Sequence, residues 1–227
     1  MFCKIVCGVI SPLLANVYLH EVLDTWFAEV VRAHCRGNVV MYRYADDFVI
    51  GFELKEDADK IMAVLPKRFA RYGLEINEEK TRMVNFCRPC WGYDPKKHGP
   101  KPDTFSFLGF TYYWGKTWKG GHTIKRKTET KRMIRTARNF WQWCRDNRHR
   151  SLEEQTAVLR AKLRGHYQYY GVRCNSRCLE WVFDQLHRAW LFWLNRRGGR
   201  KKLSWEKFQK LLKAYPLPRP KIVQAWV

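Results

Sequence analysis

The chain has 227 residues, 46% of them hydrophobic and 15% aromatic, which excludes intrinsic disorder and allows one large or two small cores. No apolar run approaches the roughly 18 residues of a membrane span, and residues 1–7 are too short for a signal peptide. Formal net charge is +22, beyond what solubility needs, and points to a polyanion partner. The charge is uneven: residues 1–119 hold 17 Lys+Arg against 14 Asp+Glu, whereas residues 120–227 hold 26 against 7. That step, with Gly120-Gly121 at it, predicts two domains, 1–119 and 120–227.

In chain order, Ser11-Pro12 predicts a helix start, with Ser as N-cap and Pro at the first position. Leu14, Tyr18, Val22 and Trp26 lie four apart and predict an apolar stripe toward a core, ended by Gly37-Asn38. Residues 41–52 then read MYRYADDFVIGF: strand, carboxylate pair, strand. In a regular strand, neighbouring side chains point to opposite faces, so Asp46 and Asp47 can serve one site only where alternation breaks. This predicts a tight hairpin with both carboxylates at its tip and Tyr44 and Phe48 anchoring the strands below. Adjacent carboxylates repel unless a cation neutralises them, and hard oxygen ligands suit Mg²⁺. Taken alone, the tetrapeptide favours a plain polar turn over a metal site.

Residues 56–72 are helical in pattern, with Ala58, Ile61, Met62, Leu65 and Phe69 on one side. Pro66 falls inside, where a lost backbone hydrogen bond costs about 3 kcal/mol and predicts a kink or break. Gly73 is the expected cap. Strands are predicted near 80–86 and 104–114, with a mobile surface loop at 88–103 between them. Beyond Gly121 four helices are predicted, at about 128–147, 152–170, 176–196 and 204–214, the second opened by a capping box at Ser151-Leu152-Glu153-Glu154. Their aromatics are mostly core by spacing. On the first, Arg132, Arg135, Arg138 and Arg145 flank Trp141 and Trp143, an interleaving that suits an RNA backbone.

The eight cysteines are scattered, which suggests free thiols in a reducing cytoplasm. Cys87, Cys90, Cys174 and Cys178 supply four thiolates, but 83 residues separate the pairs and the second is CxxxC, so the spacing argues against zinc.

YADD and its flanks carry a resemblance. Gly8-Val9-Ile10-Ser11-Pro12-Leu13-Leu14-Ala15-Asn16-Val17-Tyr18-Leu19, followed by Leu23-Asp24, is similar to the block before the catalytic hairpin in bacterial group II intron reverse transcriptases, or maturases. Gly73-Leu74-Glu75-Ile76-Asn77 with Lys80-Thr81, and then Phe107-Leu108-Gly109-Phe110, resemble the next two blocks in the family's order. The resemblance covers residues 8–114. It implies an α/β (α+β) partial polymerase palm with a YADD hairpin and a mainly antiparallel sheet, followed by an all-α thumb or maturase-specific domain that includes Pro216-Leu217-Pro218-Arg219-Pro220.

By resemblance, Asp46 is the principal Mg²⁺ ligand and Asp47 its auxiliary. Lys80 approaches the leaving pyrophosphate, and Ala45 lies beneath the primer end beside Tyr44. Ser11, Pro12 and Asn16 shape the nucleotide and template pocket, and Phe107, Leu108 and Gly109 support the primer. The implied partners are an intron RNA template, a DNA primer, dNTP and a chain supplying the missing fingers, with no membrane. The departure is upstream: residues 4–8 stand where the family has a Pro-Gln-Gly-Gly loop, and the strand with the first metal-binding aspartate is absent. A truncated form, inactive alone, is the expectation. The alternatives are an RNA-binding maturase fragment assisting splicing and a non-functional remnant of a mobile element.

Overall fold

A computed structural model describes residues 11–198 and 202–224. Residues 4–8, the Ser11 side chain expected as N-cap, and the segment of the first motif before Ser11 lie outside the described residues. The chain divides into two compact units, Met1–Asn85 and Phe86–Val227. The charge step and Gly120-Gly121 therefore fall within the second unit and do not coincide with the division. No described helix is long and apolar enough to cross a membrane.

In the first unit, helix α1 (Ser11–Leu19) continues through π-helical turns at His20–Thr25 and Phe27–Val31 into the short α2 (Arg32–His34). The expected stripe is only half realised. Val22 and Trp26 are buried, but Leu14 is 63% and Tyr18 44% exposed. The buried residues Val22, Leu23, Trp26, Phe27 and Val31 all fall in or between the π-helical turns, whereas Leu14 and Tyr18 lie on α1 ahead of them.

Strands β1 (Val39–Tyr44) and β2 (Asp47–Phe52) form an antiparallel hairpin. Alternation turns Val39, Met41, Phe48, Ile50 and Phe52 toward a core shared with Leu23, Trp26, Phe27 and Val31 and with Ile61, Leu65 and Phe69 of α3 (Lys55–Arg71). Asp57 on α3 is buried, and its Oδ2 accepts from the Arg36 and Gly37 N–H groups, fixing the entry to the hairpin.

Pro66 does not break α3, which runs unbroken across it. The proline is exposed, and the buried Leu65 and Phe69 anchor the helix on either side of it. Gly73, at φ 66°, ends the helix in a Schellman motif: Gly73 N–H donates to Ala70 O at 3.0 Å and Leu74 N–H to Phe69 O at 3.0 Å.

Residues 80–86 form no strand; Phe86 instead packs on Phe105 and Trp114, and its carbonyl accepts a hydrogen bond from Trp114 Nε1. In the second unit, the expected strand at 104–114 is instead a hairpin, β3 (Phe105–Phe107) and β4 (Phe110–Lys116). The loop before it holds one helical turn, α4 (Pro95–His98). Strand β5 (His122–Thr128) adds to β4 across the Gly120-Gly121 turn, so the part after residue 120 is not all helical, contrary to expectation.

Helices α5 (Thr130–Asp146), α6 (Leu152–Tyr170), α7 (Ser176–Leu194) and α8 (Trp205–Ala214) follow within a few residues of their predicted bounds. Ser151 Oγ caps α6 by accepting from Glu154 N–H. Leu159, Leu163 and Tyr167 of α6 pack on Leu179, Val182, Leu186 and Trp190 of α7. Two buried amides brace this core. Gln155 accepts from Trp190 Nε1 at 2.7 Å, and Asn175 accepts from Thr128 N–H at 2.8 Å while donating to Thr128 Oγ1 and Tyr170 O.

Candidate active site and nucleic-acid face

Tyr44 pairs with Asp47 across β1 and β2, leaving Ala45 and Asp46 as a two-residue loop. Asp46 is in the loop and Asp47 opens β2, so strand alternation fails between them and both carboxylates stand at the exposed tip. Phe48 anchors β2 by stacking on Phe69 at 6.1 Å. Tyr44 does not anchor β1: it lies on the outward face and is 67% exposed. Ala45 has φ 53°, a left-handed conformation that costs an L-residue roughly 1–2 kcal/mol.

The tip is held by a residue the motif reading passed over. Arg43, inward-facing on β1, donates from Nε to Asp24 Oδ1 at 2.7 Å and from Nη2 to Asp24 Oδ2 at 2.5 Å. Its Nη1 donates to Asn16 Oδ1 at 3.1 Å and to the Ala45 carbonyl at 2.9 Å. One guanidinium thus joins α1, the π-helical turn and the strained loop residue, using the planar fork that only arginine offers. The hydrogen bond from Arg43 holds the Asp24 carboxyl below its ordinary value, and Asp24 raises that of Arg43. Asn16, expected in a substrate pocket, is one of the acceptors in this clamp. The signal in the sequence was faint: Asp24 belongs to the first block and Arg43 precedes YADD, but they are 19 residues apart.

Pro12 is exposed on α1. Lys80 is exposed as well; its backbone N–H donates to Asn77 Oδ1, and its ammonium makes no ion pair with a described carboxylate. Phe107, Leu108 and Gly109 belong to the second unit. Leu108 (φ 51°) and Gly109 (φ 75°) form the left-handed turn between β3 and β4. That turn is buttressed from α6 and the start of α5. Tyr169 Oη donates to Leu108 O at 2.9 Å, Glu129 N–H donates to Gly109 O at 3.0 Å, and Phe110 stacks on Tyr169 at 5.8 Å.

Arg132, Arg135, Arg138 and Arg145 are all exposed on α5. Arg132 lies 3.9 Å from Glu129 and Arg145 3.0 Å from Asp146. Of the flanking tryptophans, Trp143 packs on the helical core and Trp141 lies against Phe192 at 4.6 Å. Counted by unit, the charge divides more sharply than at residue 120: residues 1–85 hold 11 Lys+Arg against 12 Asp+Glu, and residues 86–227 hold 32 against 9.

Asp46 and Asp47 offer hard oxygens suited to Mg²⁺, which typically binds one or two protein carboxylates and completes its shell with water and substrate phosphates. Among the described residues no group of three or more His, Cys, Asp or Glu side chains converges, so the four candidate zinc thiolates are not gathered either.

Residues 7–112 match the family model described as reverse transcriptase (RNA-dependent DNA polymerase). The match takes in the YADD hairpin and ends within β4. The match covers just under half of the chain and supports a reverse transcriptase domain over those residues. No curated protein matches the chain.

Proposed function

We propose that the chain is the palm-and-thumb part of a group II intron type reverse transcriptase, an RNA-directed DNA polymerase acting on an RNA template, a DNA primer and dNTP. The observation that carries this reading is the pair Asp46-Asp47 at a clamped hairpin tip inside the segment that matches the family. Mg²⁺ bound there supplies charge neutralisation for in-line phosphoryl transfer. The chain's own share is to hold two carboxylates at a fixed tip, with Arg43 setting the loop geometry. Among the described residues no third acidic, His or Cys side chain joins the pair, so the family's first aspartate lies outside them.

The test is RNA-templated primer extension with Mg²⁺, in the presence of a reverse transcriptase fingers fragment carrying the first aspartate, comparing the chain with Asp46→Ala. Extension is expected, with a fall of at least about a hundredfold in the variant, the scale of losing one preorganised charge-stabilising group. Extension that survives the substitution overturns the assignment. A second reading, RNA binding as a maturase that assists splicing, is favoured by the 32 basic residues of the second unit and the exposed arginines of α5. These two activities are compatible in one chain.

A further inference from the structure

We propose that the cleft between the end of α7 and the start of α8 is a binding site for an unpaired RNA nucleotide, its base stacked on Trp205 and its phosphate between Arg188 and Lys202. The cleft is open to solvent, with a volume of about 840 Å³, and its described lining includes Arg188, Arg196 and Lys202 and no carboxylate. Three cations lining one cleft with no acidic neighbour among its described lining favour an anionic occupant.

Its walls are built rather than incidental. Asn195, at the end of α7, donates from Nδ2 to Leu203 O at 3.1 Å and accepts from Leu203 N–H at 2.6 Å, which fixes the chain entering α8. Ser204 caps that helix by accepting from Lys207 N–H, so Trp205 is held at its first position. Trp205 rests against the buried Phe208 at 5.7 Å yet stays 52% exposed. The other aromatic wall, Phe192, is already occupied, since the Arg196 guanidinium lies 3.4 Å from its ring centroid. Trp205 therefore offers the open aromatic surface.

An aromatic face beside paired cations is the arrangement that grips single strands, where each base presents a free π-face and each linkage a phosphate. A duplex, whose bases are stacked on one another, has no face to offer. The choice of RNA rests on the template assignment above; the preference for an unpaired nucleotide rests on the cleft alone.

The test is fluorescence anisotropy of the full chain with a labelled oligouridylate and with an RNA duplex of equal length, over a range of salt. Trp205→Leu is expected to weaken oligouridylate binding about tenfold, the scale of one lost base stack, and to leave the duplex unchanged. Trp205→Phe restores binding by keeping a ring. Arg188→Gln with Lys202→Gln makes the slope of log affinity against log salt shallower by about 0.7, the value for one phosphate on a single strand. Unchanged oligouridylate binding in Trp205→Leu, equal losses for strand and duplex, or tighter binding of oligothymidylate DNA overturns the proposal. If binding instead depends on Arg135 and Arg138 alone, the cleft fails and the polymerase reading stands. If Trp205 dependence holds while primer extension never appears, the cleft stands and the polymerase reading fails.

Discussion

Ala45 sits where a Cβ is unwelcome, and the Arg43 guanidinium holds its carbonyl there. The same guanidinium pairs bidentately with Asp24, so loop geometry and helix packing share one side chain. Arg43→Lys keeps a positive charge beside Asp24 but cannot reach all four acceptor oxygens on Asp24, Asn16 and Ala45. Amide hydrogens at the hairpin tip are expected to exchange about tenfold faster in that variant, the scale of losing one charge-assisted hydrogen bond. Adding Ala45→Gly should recover part of the protection, because glycine enters the left-handed region without the steric cost. Equal losses in the alanine and glycine backgrounds would assign Arg43 to folding alone. The pairing of Asp46 with Asp47 was legible because alternation has one simple exception, the turn. The clamp was not, because nothing in the type of Arg43 or Asp24 marks a contact 19 residues away.

The elements are legible in the sequence to different degrees, and the physical reason differs from case to case. Helices α5 to α8 have apolar residues at helical spacing along nearly their whole length, and their bounds came out within a few residues. Strand β5 escaped because its sequence, HTIKRKT, is basic at alternate and adjacent positions, so its half-buried side chains do not read as apolar. Residues 80–86 have strand-like composition, but a strand exists only where a neighbour completes its hydrogen bonds. Pro66 was overruled by the packing of Leu65 and Phe69 around it. The join between β5 and the helices rests on Asn175, fully buried and bonded to Thr128 and Tyr170. Asn175→Ala strands those partners, and a loss of about 3 kcal/mol in unfolding free energy of the second unit is expected from urea titration. A change below about 0.5 kcal/mol would show that solvent replaces the amide.

At the scale of the molecule, the two units answer acid differently. Burial pushes His166 down to about 4, and burial also lowers His187. As pH falls from about 6.5 toward 4, the unfolded chain takes up protons that the folded second unit refuses, so its stability falls across that window. In the first unit, the Arg43 hydrogen bond holds Asp24 below its ordinary 3.8, and the Gly37 and Arg36 N–H groups do the same for Asp57. Their stabilisation is complete above that value and is lost only as pH drops through the depressed folded values. Urea midpoints at pH 7 and pH 5 should therefore separate the units, with the second weakening and the first holding, and His166→Gln flattening part of the change. A second-unit midpoint that stays flat over that interval would refute this assignment.

The units are also unequal in the residue that would report such a change. Of the chain's 11 tryptophans, Trp26 alone precedes residue 86, and it lies in the first core with the Arg68 guanidinium 5.9 Å from its ring. Tryptophan emission from this protein is thus almost wholly a signal from the second unit. Trp26→Phe makes it entirely so, and the difference spectrum between parent and variant isolates the light from the core that supports the carboxylate hairpin.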